Sequence, residues 1–286
     1  MTKMPPATKM AHTVSPSARR LLTGAALALV TLILVVPLTA VFIEAFRGGA
    51  ALWAAAVRQP DAMAALRLTL VVAAIAVPVN AFFGLAAGWA LGKFEFPGRS
   101  LIVTLIDLPF AVSPVVAGLV FVLLFGRTGL FGAWLLRHGL AVIFAPPGIV
   151  LATLFVTFPF VARELIPLMR SAGNEEEEAA RVLGAGFFQT FFRVTLPNVK
   201  WALLYGLVLS TARAVGEFGA VSVVSGHIRG RTNTLPLEVE ILYNEYQTQA
   251  AFAVASLLTG LAVVALVVKT VARRFSRTET AGTENR

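Results

Sequence analysis

The chain has 286 residues, of which 57% are hydrophobic and only 14% are charged. Soluble domains carry roughly 25% charged residues, so this composition predicts a polytopic membrane protein of the all-α class. The net charge of +9 would suggest nucleic-acid binding in a soluble chain, but an excess of Lys and Arg in the cytoplasmic loops of a membrane protein explains it better. The absence of cysteine excludes disulfides, thiol catalysis and Cys-based zinc sites.

The charged tails and the apolar stretches divide the chain into three parts. Residues 1–20 are polar and basic and predict a disordered cytoplasmic tail, residues 21–275 a transmembrane domain, and residues 276–286 a second cytoplasmic tail. A span needs about 20 apolar residues, and six stretches come close to or exceed that length. They cover residues 21–43, 66–91, 101–125, 149–166, 201–224 and 250–271.

Helix-breaking residues lie inside several of these stretches. We expect Pro37 to kink the first span and Pro159 to interrupt the fourth, because proline removes a backbone hydrogen bond. The third span contains two helix-breaking sites, Asp107-Leu108-Pro109 and Ser113-Pro114. We expect the Asp107 carboxylate to cap the half-helix that resumes after Pro109. The alternative is that Asp107 lines a path for substrate. The first outer loop, residues 44–59, predicts a short interfacial helix around Trp53.

The distribution of positive charge predicts the orientation of the chain. Six spans place both termini on one side, and sixteen of the 24 Lys and Arg residues fall on that side. Seven fall on the opposite side, and the remaining one, Arg213, lies inside a span. Both termini and the segment of residues 174–197 are therefore expected in the cytoplasm, and residues 126–147 and 225–249 outside.

The segment of residues 174–197 is the main polar insertion in the second half of the chain. Its four consecutive glutamates, Glu175 to Glu178, predict the first turn of a helix, where negative charge matches the helix dipole. We expect Asn174 to form a capping box with Glu177 and the helix to end at Gly184. A second short helix should end before Pro197. It places four aromatic residues on one face: Phe187, Phe188, Phe191 and Phe192.

Two charged residues lie inside the fifth span. Arg213 and Glu217 are one helical turn apart and can pair, and each would cost roughly 2.5–3.5 kcal/mol at the bilayer centre if unpaired. One interpretation makes them part of a translocation path or gate, together with Ser210 and Ser222; the other makes them a structural ion pair. Further polar residues that could line a path, although hydroxyls also bond their own helix, are Ser113, Thr157 and Asn80.

The third outer loop is basic, against the trend of the remaining chain. It contains His227, Arg229 and Arg231, which an anionic substrate or an acidic delivering protein would explain; a simple solvated loop is the alternative. No G-x-x-x-x-G-K-[ST] phosphate loop and no HExxH motif is present, so ATP hydrolysis by this chain alone and a metalloprotease site are excluded. The three histidines lie in separate segments, and no metal site or bound cofactor is expected.

The cytoplasmic segment resembles the EAA loop of bacterial ABC importer permeases. The resemblance rests on Glu178-Ala179-Ala180, on Gly184 and on the run Val194-Thr195-Leu196-Pro197 at the family's spacing. It implies that this loop couples the permease to a cytoplasmic ATPase subunit. The coupling residues implied are Glu178, Ala179, Ala180, Gly184, Leu196 and Pro197.

The fifth span and the third outer loop narrow the resemblance to the sulfate and thiosulfate permeases of the CysW type. It rests on Glu217-Phe218-Gly219-Ala220, Gly226-His227-Ile228-Arg229-Gly230, Thr232-Asn233-Thr234-Leu235-Pro236 and Glu240 to Tyr246. The resemblance implies a type I permease fold in the bacterial inner membrane. It also implies a homologous CysT-type permease partner, two copies of an ATPase subunit that bind ATP and magnesium, and a periplasmic sulfate- or thiosulfate-binding protein. Alternatives are a molybdate or tungstate permease, an ion-gradient-driven secondary transporter and a membrane-embedded enzyme.

Overall fold

The computed structural model describes residues 15–283, so residues 1–14 of the predicted tail and the last three residues lie outside it. Residues 16–20, which were expected to belong to a disordered tail, begin the first helix. The described part is built from α-helices without a strand, which confirms the all-α class. The helices are α1 Pro16–Val30, α2 Val36–Phe46, α3 Ala50–Val57, α4 Pro60–Lys93, α5 Arg99–Ala111, α6 Pro114–Phe125, α7 Gly132–Arg137, α8 Pro146–Ser171, α9 Glu175–Val182, α10 Phe187–Thr190, α11 Leu196–Val215, α12 Gly219–Ser225, α13 Leu235–Asn244 and α14 Thr248–Thr283.

Four described helical stretches are long and apolar enough to cross a membrane. They are Ser17–Phe46, Pro60–Lys93, Pro146–Ser171 and Thr248–Val268. Two further pairs of helical stretches are long and apolar enough when taken together, and each pair is bent at a short break. The bend is 106° between α5 and α6, and 50° between the stretch Phe187–Val215 and α12. Counting each bent pair as one span gives the six predicted spans.

The first span stays helical through Pro37. The turn before Pro37, Thr31–Val35, is π-helical and joins α1 to α2, and the hydroxyl of Thr39 donates to the carbonyls of Val35 and Val36. A π-helical turn is one of the ways a helix absorbs a proline. The helix predicted around Trp53 is α3, and the indole Nε1 of Trp53 donates to the Ser256 hydroxyl at 3.0 Å.

The expected breaks at three prolines were wrong. The helix α5 continues through Pro109, and α8 continues through Pro159. The second cytoplasmic helix does not end before Pro197, because α10 runs through a π-helical turn, Phe191–Thr195, directly into α11. Pro197 lies in the first turn of α11, where its missing N–H would have had no partner in an isolated helix. The chain breaks at 112–113, which confirms the helix break expected at Ser113-Pro114, and at 216–218, between the members of the second bent pair.

The role expected for Asp107 was also wrong. Its carboxylate Oδ1 lies 3.1 Å from Nε of Arg163 on α8, and it caps no helix, because α5 continues to Ala111 and the next helix starts at Pro114. The Arg163 guanidinium also lies over the Phe110 ring, 5.0 Å from its centroid. Both members of this ion pair are at least one-third exposed in the isolated chain.

A row of glycines brings α4 against α8. Gly84, Gly88 and Gly92 recur every fourth residue, and a Cβ atom added to each would lie 2.6–2.7 Å from side chains of α8. Glycine lets two helix backbones approach this closely, as small residues do in membrane helix pairs. Facing them on α8 are Val161, Leu165 and Met169, all fully buried. The helix α11 packs on the same region, since a Cβ at Gly206 would lie 3.0 Å from Cα of Val161. The helix α8 is therefore the central element, held between α4 and α11.

Candidate coupling and translocation sites

The predicted helix at the centre of the cytoplasmic segment is present as α9. It begins at Glu175 with the four glutamates in its first turn, and it ends one residue before Leu183. Gly184 follows with φ +87°, a left-handed backbone conformation that glycine adopts without strain. The predicted coupling residues lie along one continuous module: Glu178, Ala179 and Ala180 on α9, Gly184 behind it, and Leu196 and Pro197 at the start of α11.

The expected capping box of Asn174 and Glu177 was wrong. Asn174 makes no side-chain cap, and the Glu177 carboxylate binds residues of other elements instead. Its Oε1 accepts a 2.7 Å hydrogen bond from the Thr195 hydroxyl and lies 3.2 Å from Nζ of Lys93, the last residue of α4. One positive partner and one hydroxyl donor together outcompete a local cap, which contributes only about 1 kcal/mol. Glu176 adds a further link, because it accepts from the side-chain amide of Asn198.

Aromatic packing lies beside this polar junction. Trp89 on α4 packs edge-on against Phe187, with ring centroids 5.4 Å apart, and against Phe94. Phe187 contacts Trp89 but is still about half exposed, and Phe188 and Phe192 are more exposed than it is. Val182 and Leu183 at the end of α9 are each 87% exposed. The cytoplasmic module thus combines a polar attachment to the spans with an uncovered apolar surface.

The charges of the fifth span form the predicted pair. Nη1 of Arg213 lies 2.7 Å from Oε2 of Glu217, although α11 ends between them. The other oxygen, Oε1, accepts from the backbone N–H of Ala220 at 2.9 Å, so Glu217 also caps α12. Glu217 is 1% exposed, whereas the Arg213 side chain is one-third exposed. One oxygen of the buried carboxylate is therefore hydrogen-bonded, the other has only the ion-pair contact with Arg213, and the arginine still reaches a surface.

The hydroxyl and amide groups proposed to line a path divide into two kinds. Asn80 and Thr157 are buried and bond each other at 2.6 Å, between α4 and α8. The Ser222 hydroxyl donates to the carbonyl of Gly219 in its own helix. Ser210 is fully buried one turn before Arg213, and its hydroxyl has no hydrogen-bond partner among the described residues. Ser113 is exposed at the break between α5 and α6.

The basic outer loop carries acidic partners of its own. Arg229 pairs with Glu245, and Nε2 of His227 lies 3.4 Å from Oε2 of Glu240. The hydrogen bond to Glu245 raises the pKa of Arg229 above its usual value, so its charge is retained at any physiological pH. Within the described part of the chain, Arg231 makes no such ion pair.

The residues after this loop are more buried than an outer segment would suggest. Thr232, Asn233 and Thr234 are almost completely buried, and the backbone N–H of Leu235 donates to the Thr69 hydroxyl on α4 at 2.8 Å. The Asn233 amide donates to Glu238, which is itself buried. The Thr-Asn-Thr-Leu-Pro run therefore fastens α13 to the bundle.

Sequence reasoning missed three features of these sites. The Arg163 partner of Asp107 and the Lys93 partner of Glu177 depend on tertiary packing. An apolar cavity of about 590 Å³ lies between α4, α11, α13 and α14, with Thr211 and Gly216 on its wall. No group of three or more His, Asp or Glu residues in the described ranges could hold a metal ion.

Comparison with known proteins identifies the family to which this sequence is similar. Residues 82–277 match the family described as binding-protein-dependent transport system inner membrane component. The sulfate transport system permease protein CysW of Escherichia coli K12 is 52% identical over 83% of this chain and 81% of its own length. The CysW protein of Synechocystis is 53% identical over 87% of this chain and 90% of its own. The CysT permease of Escherichia coli K12 is 37% identical over 91% and 97%.

Solved structures agree on the fold. A chain of a bacterial ABC transporter that imports the acidic polysaccharide alginate superposes with a TM-score of 0.71, covering 91% of this chain and 96% of its own. The two sequences are only 19% identical, so this likeness concerns the fold alone. The match to the transport family covers more than half of the chain, and the CysW relatives exceed half identity over most of their length. The chain therefore belongs to the inner-membrane components of binding-protein-dependent transport systems and, within them, to the CysW permease family.

Proposed function

We propose that this chain is the permease subunit of an ATP-driven importer that moves sulfate, and also thiosulfate, from the periplasm to the cytoplasm. The observation that carries the proposal is identity above 50% to sulfate permeases over more than four-fifths of this chain. The exposed module of α9 and α10 supports it, because a permease without a phosphate loop needs a surface on which a separate ATPase can act.

The proposed assembly pairs this chain with a homologous CysT-type permease. Two copies of a cytoplasmic ATPase bind ATP and magnesium, and a periplasmic sulfate- or thiosulfate-binding protein delivers the anion. Both termini lie in the cytoplasm, as the asymmetry of positive charge requires. This chain binds no cofactor itself and contributes an alternately open path.

We assign three groups of residues to this cycle. Docking of the ATPase involves Glu178, Ala179, Ala180, Gly184, Leu196 and Pro197. The path or gate of the permease involves Arg213, Glu217, Ser210 and Ser222. Docking of the binding protein or attraction of the anion involves His227, Arg229 and Arg231. The partly exposed Arg213 supports a place in the path, since its guanidinium is reachable while Glu217 is covered.

Uptake of labelled sulfate in cells with and without the gene tests the proposed substrate. Sulfate uptake should fall on deletion, and excess unlabelled thiosulfate but not molybdate should compete in the wild type. Unchanged sulfate uptake with lower molybdate accumulation would instead favour the molybdate permease. Changing the phosphate-loop lysine of the ATPase partner should abolish uptake; persistent uptake would favour a secondary transporter.

A further inference from the structure

We propose that Lys93 and Glu177 form a clasp that fixes the coupling helix α9 to α4, so that movement of α9 reaches the spans as movement of one rigid unit. The proposal rests on the proposed coupling role of α9. It adds two positioning residues that the EAA-like motif does not include. We refer to this ion pair as the Lys93–Glu177 clasp.

Burial distinguishes Glu177 from the neighbouring glutamates. Its side chain is 12% exposed and that of Lys93 is 8% exposed, whereas Glu175, Glu176 and Glu178 are classed as exposed. An exposed ion pair contributes little because water screens it, but a nearly buried pair holds its geometry and is costly to break on one side. The clasp can therefore act as a fixed connection.

Lys93 reaches a second element through the same ammonium group. Its Nζ also donates to the carbonyl of Gly173, in the turn between α8 and α9. Gly173 has φ +64°, and Gly184 at the far end of α9 has φ +87°. Two glycines in the left-handed region at either end would allow α9 to swing if nothing else held it. The clasp removes that freedom at the first turn of the helix.

The carboxylate that binds Lys93 also attaches α9 to the segment that leads into α11. Oε1 of Glu177 accepts from the Thr195 hydroxyl at 2.7 Å, and Glu176 accepts from Asn198. One carboxylate thus joins the end of α4 to the beginning of α11. Both helices pack closely on α8, with Gly92 of α4 against Met169 and Gly206 of α11 against Val161. Force applied to α9 is therefore transmitted to α4, α8 and α11 together.

Removing one member of the pair should uncouple the transporter without preventing its assembly. In proteoliposomes containing the complete complex and the binding protein, Lys93→Met and Glu177→Gln should each lower the sulfate transported per ATP hydrolysed by about 5-fold or more, the lower end of usual coupling energies. Copurification of the ATPase should stay unchanged, because its proposed docking residues are elsewhere. The charge swap Lys93→Glu/Glu177→Lys should recover much of the ratio, although it loses the bond to Gly173.

The matched control is Glu95→Gln at the same end of α4. Glu95 pairs with Arg99 but is mostly exposed, and no described hydrogen bond or ion pair joins it to α9. The same change of charge at this position should leave the ratio of sulfate to ATP within about 2-fold of wild type, as expected for an exposed pair.

Several outcomes would overturn the proposal. Wild-type ratios in both single variants would do so, as would an equal loss of ATP hydrolysis and uptake that leaves the ratio unchanged. Loss of ATPase copurification would show that the pair serves docking instead. If the single variants do not fold, a folded charge swap with a normal ratio would support the clasp, and a folded swap with a low ratio would refute it.

If the wild type moves molybdate but not sulfate, the proposed substrate is wrong, and the ratio of molybdate transported to ATP hydrolysed still tests the clasp.

Discussion

The second half of the chain contains two polar segments, the inner one at α9–α10 and the outer one at residues 225–246. They differ in how far their charged groups are paired and how far their apolar side chains are exposed. In the outer segment, Arg229 pairs with Glu245, His227 with Glu240, and Asn233 with Glu238. In the inner segment, Glu175 and Glu178 are exposed, and only Glu176 and Glu177 bond to the spans.

The apolar surfaces follow the same division. The inner module exposes several large aliphatic and aromatic side chains: Val182, Leu183, Phe188 and Phe192. The outer segment buries Leu235, Leu237 and Leu242 and exposes mainly Tyr243 and Tyr246, which also carry hydroxyls. An exposed apolar surface is typical of a stable protein–protein interface, whereas a polar surface with paired charges is typical of a transient one. The contrast matches an ATPase that stays bound and a delivering protein that cycles.

The largest effect should come from Gly184→Asp in the inner module. The substitution forces an L-residue into φ +87° and places a carboxylate behind α9, where we propose that the ATPase docks. The protein should still reach the membrane, but uptake should fall at least about tenfold while ATP hydrolysis becomes independent of the binding protein; strain alone costs about 1–3 kcal/mol. Uptake assays and ATPase assays in proteoliposomes measure both effects.

Two alanine variants separate backbone strain from charge at this position. A Cβ added to Gly184 or to Gly186 would have no other atom within 4 Å. The two glycines differ in backbone conformation, since Gly186 has φ −71° and Gly184 has φ +87°. Gly184→Ala should therefore impair coupling and Gly186→Ala should not. Normal uptake by Gly184→Asp would contradict the assignment of α9 as the coupling helix.

The pair at the end of α11 should give the next largest effect. Arg213→Met leaves the buried Glu217 carboxylate without its partner and should destabilise the protein by about 3–5 kcal/mol. The double variant Arg213→Met/Glu217→Gln removes both charges and keeps an oxygen for the Ala220 N–H, so stability should return. Thermal unfolding in detergent measures this recovery.

Transport by the double variant then decides between the two interpretations of the pair. If Arg213 belongs to the anion path, uptake should remain low in the restored protein. Normal uptake in the stable double variant would show that the pair is structural. Glu217→Gln alone supplies the comparison, because it keeps Arg213 and the cap of α12.

The sequence predicted those features that depend on local pattern. Hydropathy located the spans to within a few residues at most ends, and the glutamates with Gly184 located α9. The Arg213 and Glu217 pair followed from a spacing of one turn. These predictions succeeded because the interacting groups are close along the chain.

The predictions that failed concern partners that are distant in sequence. Glu177 had a plausible local partner in Asn174, but Lys93 and Thr195 bind it in the folded chain. The prolines gave a similar error, because packing of α8 against α4 and α11 keeps α8 helical through Pro159. The spacing of Gly84, Gly88 and Gly92 indicates a close contact with another helix, but it does not identify that helix as α8.

The smallest effects should come from the outer loop, where the comparison of paired and unpaired charges is most direct. Arg229 is already neutralised by Glu245, so Arg229→Gln should change stability and docking by less than about 1 kcal/mol. Arg231 has no ion-pair partner in the described chain and can attract an acidic binding protein. Arg231→Gln should raise the KM for delivered sulfate several-fold, and the difference from wild type should shrink at high salt because screening weakens steering. Arg58→Gln in the first outer loop is the control for charge alone. Equal effects at 229 and 231 would mean that neutralisation within the loop does not decide docking, and unchanged uptake and docking in the double variant would remove the outer arginines from the docking surface.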